Sequence, residues 1–166
     1  MTQLHQINLS FDAEQDRLLL RVSTTDPVEH SLWLTRRLVK AWWPVLLQLA
    51  SHRELRRRPQ APEAARAAFE FAHESAVQGA NFAAPYEAPP TTAAPILVAE
   101  VRMRPLAAEA NELLFIPRQG QPLTMNLPEP MLHALLKLLQ QAVAQAGWDI
   151  QLQLPAGSLA ATTRVN

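Results

Sequence analysis

Thirteen arginines against two lysines give this chain most of its chemical possibilities, and the arginines fall into two arrangements. Arg53, Arg56, Arg57 and Arg58 form the densest charge run, broken only by Glu54 and Leu55. Guanidinium forks match phosphate oxygens in pairs, so this run could hold a phosphate; at the end of a helix it would equally complement the negative pole of the dipole. The second arrangement lies in alternating segments, where Arg17, Arg21, Trp33, Arg102 and Arg104 fall on the side opposite the apolar positions. Cations that track phosphate beside a ring that stacks on bases make a single-stranded nucleic-acid platform. One tryptophan is few for that purpose, and Glu29 and Glu100 stand among the arginines as ready partners.

Other chemistries are absent from the motifs. No cysteine is present, which excludes disulfides, thiolate nucleophiles and Cys-ligated metals. His5, His30, His52, His73 and His133 lack the i, i+4 spacing of a zinc helix, and Gly79, Gly120, Gly147 and Gly157 are isolated rather than gathered in a phosphate loop. No nucleophile elbow appears. The motifs therefore point to no catalytic residue, no cofactor and no metal.

The elements that position these residues follow from periodicity. Residues 5–11 alternate polar with apolar, residues 17–23 do so again after a polar turn, and 29–34 make a third such segment, which together read as a three-stranded meander. Thr35 is a good N-cap for a helix running to about Ser51, with a kink expected at Pro44 because its ring strikes the carbonyl of Lys40. Pro62 to Gln78 reads as an alanine-rich helix stopped by Gly79. Residues 80–95 hold four prolines, with Phe82 and Tyr86 as the only large anchors, and read as a linker that is mobile unless those rings dock. Strand logic resumes at Ile96–Arg104, with Leu97, Ala99, Val101 and Met103 inward, then at 113–116 and 123–127. A helix opens at Pro128-Glu129-Pro130 and ends at Gly147, and 148–154 could add a strand.

Overlaying residues 31–41 on 124–134 keeps every apolar position apolar except Trp33, which meets Asn126. Each half then reads strand–strand–strand–helix. The expected fold is α+β: two βββα repeats related by a pseudo-twofold, antiparallel meanders, and two long apolar helices packed on the sheet. The expected organisation is one domain over 1–154, made of repeat 1 (4–52), an insert helix and Pro/Ala-rich linker (53–95) and repeat 2 (96–154), with a loose tail over 155–166. The repeat resembles, in topology alone, the strand-meander-plus-helix units of the Pur and Whirly single-strand binders, although those carry four strands and none of their motifs is present.

With 166 residues, 48% apolar and 18% charged, the chain supports one substantial core and is too apolar to be disordered. Fifteen basic residues balance fifteen acidic ones, so any attraction to nucleic acid or an anionic surface must be local. The most apolar stretch, residues 38–50, is shorter than a membrane span, and the N-terminus carries no signal-peptide pattern. A bacterial cytoplasmic protein with no membrane partner is the expectation. Trp42 and Trp43 lie about 100° apart on their helix. One of them should therefore face outward, making Val39, Trp43 and Leu47 a candidate homodimer face. The leading functional expectation is a non-enzymatic binding protein acting through a protein partner or its own copy. A single-stranded nucleic-acid binder using the arginine face comes second. A small-ligand binder or enzyme, with a pocket between the halves near Phe82 and Tyr86, comes third.

Overall fold

The computed structural model describes residues 4–26 and 28–155. The expected tail beyond Pro155 lies outside the described residues. Within them the chain is α+β, with a six-stranded mixed sheet and three helices. Strands β1 (Leu4–Asp12), β2 (Arg17–Thr24) and β3 (Val28–Thr35) form the first meander. Strands β5 (Ile96–Pro105), β6 (Ala110–Pro117) and β7 (Leu123–Pro128) form the second, and a two-residue strand β4 (Thr91–Thr92) pairs with β3. The order is β1-β2-β3-β5-β6-β7, antiparallel within each meander and parallel where β3 meets β5, at Leu32 opposite Ile96 and Trp33 opposite Leu97.

Helix α1 (Arg36–Arg57) starts where the Thr35 hydroxyl accepts from the Leu38 amide at 3.2 Å, and it continues through Pro44 to the basic run. It is thus six residues longer than its apolar period suggests, because arginine favours helix and complements the C-terminal pole. Helix α2 (Pro62–Gly79) follows, then helix α3 (Glu129–Ala146), which stops at Gly147 with φ 63°, a left-handed conformation that suits glycine. The two long helices, expected to lie against each other, do touch, and α2 packs more extensively on both α1 and α3. No helix among the described residues is long and apolar enough to cross a membrane.

The core lies between one face of the sheet and the helices. Leu18, Leu20, Leu32 and Leu34 of the first meander and Leu113, Phe115 and Leu127 of the second are buried there with Leu46, Leu132, Leu136 and Leu139. The Trp42 ring meets Phe115 edge-on at 5.8 Å, and its Nε1–H points at the Met103 sulfur 3.2 Å away. Two expectations are corrected. In β5 a bulge between Val98 and Glu100 inserts Ala99, so before it the inward residue is Val98, which is buried, while Leu97 sits beside Trp33 and Ala99 is exposed; beyond it Val101 and Met103 pack against the core as expected. Residues 148–154 form no strand; they run as irregular chain below the helices, with Trp148 buried and its Nε1–H donated to Asp16 at 2.7 Å.

The expected dimer stripe is also covered within the chain. Val39 and Trp43 are buried in the core, Leu47 packs against it, and Trp43 donates its Nε1–H to the Gln153 carbonyl at 3.1 Å. Both adjacent tryptophans can be interior because α1 has the sheet on one side and residues 148–155 on another. Trp43→Phe orphans that carbonyl and leaves a small cavity where the pyrrole ring was, and it should cost about 1–3 kcal/mol in urea denaturation while speeding proteolysis near residue 153. A wild-type denaturation midpoint in this variant would mean that 148–155 adds nothing to the core.

Candidate functional site

The arginine face does not form one cationic platform. On the outer side of the first meander, Arg21 directs Nε and Nη2 to the Asn8 Oδ1 at 3.2 and 2.8 Å, and its guanidinium stacks over the Tyr86 ring at 4.7 Å. On the second, Arg102 bonds Glu100 at 2.7 Å and Arg104 holds Glu112 through two bonds of 2.6 and 3.1 Å. These pairings lower the Glu100 and Glu112 carboxyls and raise the two guanidiniums, the hydrogen bonds being the main cause. Trp33 is half-buried between Leu19 and Leu97, and Arg17 lies opposite Thr35 at the strand end.

The basic run is similarly engaged. Arg53 is largely covered, bonding Glu129 at 3.2 Å and the Leu106 and Ala110 carbonyls at 3.3 and 2.9 Å. Those carbonyls flank the β5–β6 turn, where Ala108 and Glu109 take left-handed conformations, so Arg53 clamps a strained turn to α3. Arg57 bridges Glu54 and Glu109, and Arg58 pairs with Glu54. Arg53, Arg56 and Arg57 do line a surface groove of about 420 Å³ together with Pro105 and Leu106, but two of the three have carboxylate partners.

Residues 80–95 do dock, and they build the principal cavity. Leaving α2 on the core side, the chain passes the free edge of β1 and crosses to the outer face of the first meander. The Gln6 side chain donates to the Pro85 carbonyl at 3.4 Å and accepts from the Glu87 amide at 3.2 Å, and the Ala93 amide bonds the Glu29 carbonyl at 2.9 Å. A cleft of about 660 Å³ is left between this strap, the edge of β1, and one face each of α2 and α3. Ile7, Ala72, Ala76, Met131, Ala134 and Leu138 give it apolar walls, Gln6, Asn8 and Tyr86 a polar end, and Phe82 stands at the rim; no Asp, Glu, Lys or Arg lines it. The 3–4 spacing of 131, 134 and 138 and of 72, 76 and 79 puts each set on one helix face.

Beneath the strap the outer face is closed rather than solvated. Glu29 and Ser31, expected to be outward, and Ser23 beside them are 3–4% exposed. Ser31 Oγ donates to Glu29 Oε1 at 3.3 Å. The Tyr86 hydroxyl lies against the Glu29 carboxylate and the Ser23 hydroxyl, each hydroxyl with a proton to donate. Burial, with the nearby Glu29 carboxylate adding to it, pushes the Tyr86 hydroxyl up to about 12.

A second buried polar cluster lies at the contact of α2 with α3. His73 Nδ1 and His133 Nδ1 are 3.1 Å apart, so one ring carries its proton there and the other accepts it. Phe69 stacks on His73 at 6.0 Å and tilts against His133 at 5.3 Å. Glu129 Oε1 lies 3.9 Å from His133 Nε2, too far for a hydrogen bond, while Glu129 Oε2 takes Arg53 and, at 2.9 Å, the Asn111 amide. The sequence offers no signal for this pair, since the two histidines are 60 residues apart and neither has a diagnostic neighbour. With their Nδ1 atoms spent on each other, they act as a clamp between helices. Among the described residues no three His, Asp or Glu gather as a metal site would require.

No protein-family model, curated protein or solved structure matches this chain. The function must be argued from the site alone.

Burial lowers both histidines to about 4; at His73 the His133 and Lys137 charges add to it, and at His133 the Glu54 carboxylate opposes it. Folded chains keep both rings neutral below the ordinary value of 6.5, where unfolded chains already take up protons. The unfolded state then binds more protons, so stability present above about pH 6.5 is lost progressively towards about pH 4. Urea midpoints taken between about pH 7 and about pH 4.5 should fall in the wild type and fall less steeply in a His73→Phe, His133→Leu double variant. Equal slopes would show that the pair does not titrate on unfolding.

Proposed function

We propose that this is a binding protein whose cleft between β1, α2, α3 and the strap receives the uncharged, largely apolar body of a small molecule. The observation that carries this reading is the cleft itself: about 660 Å³, apolar on three walls and lined by no Asp, Glu, Lys or Arg, with His5 beside Gln6 at its β1 edge. Sites for small organic ligands have this size and this mixture of apolar walls with a few polar groups. Phe82 and Tyr86, the two large residues of the Pro-rich segment, bracket it, so the strap supplies both the rim and the polar end.

The place of the cleft also fits a duplicated unit. β1-β2-β3-α1 and β5-β6-β7-α3 have the same element order, and α1 packs on β5 of the second unit and α3 on β1 of the first, which supports a duplication, while β3 pairs with β5 and, among the described residues, no equivalent pairing joins β7 to β1. The crossover element α2 breaks that equivalence by lying beside α3 at the β1 edge, and the cleft opens where it does so. A protein partner on the same cleft is the competing occupant. The enclosure by the strap favours a small molecule, because a chain entering from outside would have to displace Phe82 and Tyr86.

N-phenyl-1-naphthylamine, whose aromatic amine stays uncharged at neutral pH and whose emission rises in apolar surroundings, tests the reading. Saturable enhancement is expected. Ser75→Trp, at an exposed position of the cleft wall, and Ala76→Phe should each weaken it by about tenfold, which corresponds to about 1.4 kcal/mol. Enhancement that does not saturate, or that both folded variants leave unchanged, would place the probe elsewhere and remove the proposal.

A further inference from the structure

The cleft runs along the edge of a strand. His5, Gln6, Ile7 and Asn8 all line it, and successive residues of a strand point to opposite faces, so the space they share lies beside β1 rather than over either face. β1 is the outermost strand of the sheet and pairs only with β2. Every second residue of such a strand directs its N–H and C=O away from the sheet.

The register identifies the residue that does so within the cleft. The Glu29 carbonyl accepts from the Ala93 amide at 2.9 Å, so the main chain of Glu29 faces β4 and not β2. Glu29 and Ser23 are therefore opposed without mutual hydrogen bonds, and Ser23, like Arg21 two residues before it, turns its main-chain groups to β1. There they meet Gln6 and Asn8. Ile7, between those two, is left to direct its N–H and C=O to the free edge, where it lines the cleft. Among the described residues the strap bonds β1 only through the Gln6 side chain, which reaches Pro85 and Glu87. The other polar side chains near this end are engaged as well: Asn8 Oδ1 holds Arg21, Asn81 Oδ1 accepts from the Ala84 amide, and the Tyr86 hydroxyl lies on Glu29 and Ser23. The orienting groups left for a ligand are those of the Ile7 main chain.

Resting on the reading of the cleft as a ligand site, we propose that the ligand is a short peptide unit with uncharged ends, an N-acyl α-amino amide, bound extended along β1 with one of its edges hydrogen-bonded to the N–H and C=O of Ile7. Such a unit supplies what the edge of a strand recognises, a donor and an acceptor on the same side at strand spacing. Antiparallel pairing uses the N–H and C=O of the ligand's own residue, and parallel pairing uses the acyl C=O and the amide N–H. In either direction only one of its two N–H groups meets β1. The acyl, side-chain and amide substituents then lie against the apolar walls given by Ala72, Ala76, Met131, Ala134 and Leu138. A free ammonium or carboxylate would lose its hydration there without meeting an opposite charge, since no Asp, Glu, Lys or Arg lines the cleft.

Isothermal titration of the whole protein with N-butanoyl-L-leucine N-butylamide and its two N-methyl derivatives tests this. One derivative is methylated on the leucine nitrogen and the other on the butylamide nitrogen, so the two are isomers of nearly equal hydrophobicity that lack donors on opposite edges. One isomer should bind at least about tenfold more weakly than the parent and the other within about twofold of it. Amide hydrogen exchange supplies a second readout: the Ile7 proton should exchange fast in the free protein and slowly in the complex, while that of Asn8, bonded to β2, stays slow in both. Isomers that bind alike, or an Ile7 proton that the parent does not protect, overturn this inference and leave the cleft as a ligand site. So does a parent compound that fails to bind while N-phenyl-1-naphthylamine saturates. If neither the parent nor N-phenyl-1-naphthylamine binds, the cleft reading falls together with it.

Discussion

The parallel contact between β3 and β5 governs the rest of the structure. Antiparallel neighbours can be joined by a tight turn, but two parallel strands side by side require the chain to leave one end and return to the other. Here only two residue pairs make the junction, Leu32 with Ile96 and Trp33 with Leu97, and residues 36–95 make the return. That crossover is not an appendage between two halves. α1 covers the core side and α2 wedges between α1 and α3. The strap comes round the free edge of β1 and over the outer face, where β4 settles beside β3 just before β5 does. The cleft is the space this detour leaves against β1, and the buried Glu29 is the part of the sheet it passes over.

How much of this was legible depends on the range of the interaction. The period-2 pattern of 5–11, 17–23 and 29–34 gave the first meander because each strand is paired with its sequence neighbour, and Thr35 and Gly147 marked helix ends through contacts within a few residues. The first half of β5 was misread because a bulge adds one residue without changing composition: the alternation that puts Val101 and Met103 inward beyond it puts Leu97 and Ala99 inward before it, where Val98 holds that place. Coverage of the outer face was invisible for a different reason. Glu29 and Ser31 look like solvent-facing residues of a half-buried strand, and what buries them is a segment more than fifty residues away whose docking rests on Tyr86, Gln6 and backbone groups. Tyr86 and Phe82 could be named as anchors from their isolation among alanines and prolines; where they anchor could not.

The arginines teach the same lesson about charge. As a list they suggested two cationic patches, yet the fold places a carboxylate beside Arg53, Arg57, Arg58, Arg102 and Arg104: Glu100 and Glu112 on the outer sheet, Glu54, Glu109 and Glu129 around the helix end. Pairs such as Arg102–Glu100 are exposed and contribute little to stability. Arg53 differs, because its covered guanidinium satisfies Glu129 and two turn carbonyls at once and thereby fixes the second meander to the helices.

Set beside that network, the outer niche shows a second way to hold a buried carboxylate. Glu129 Oε2 is given two donors from two different elements, the Arg53 guanidinium and the Asn111 amide. Glu29 is more deeply buried and is met by hydroxyls instead: Ser31 Oγ donates to its Oε1, and the Tyr86 hydroxyl lies against it beside Ser23. Burial and the carboxylate push the Tyr86 hydroxyl up to about 12, so it keeps the proton with which it can donate. Arg21, one row away, is turned to Asn8 and stacks on the Tyr86 ring. A carboxylate at position 29 is thus one reason that a segment of alanines and prolines docks on the sheet through the chain's single tyrosine.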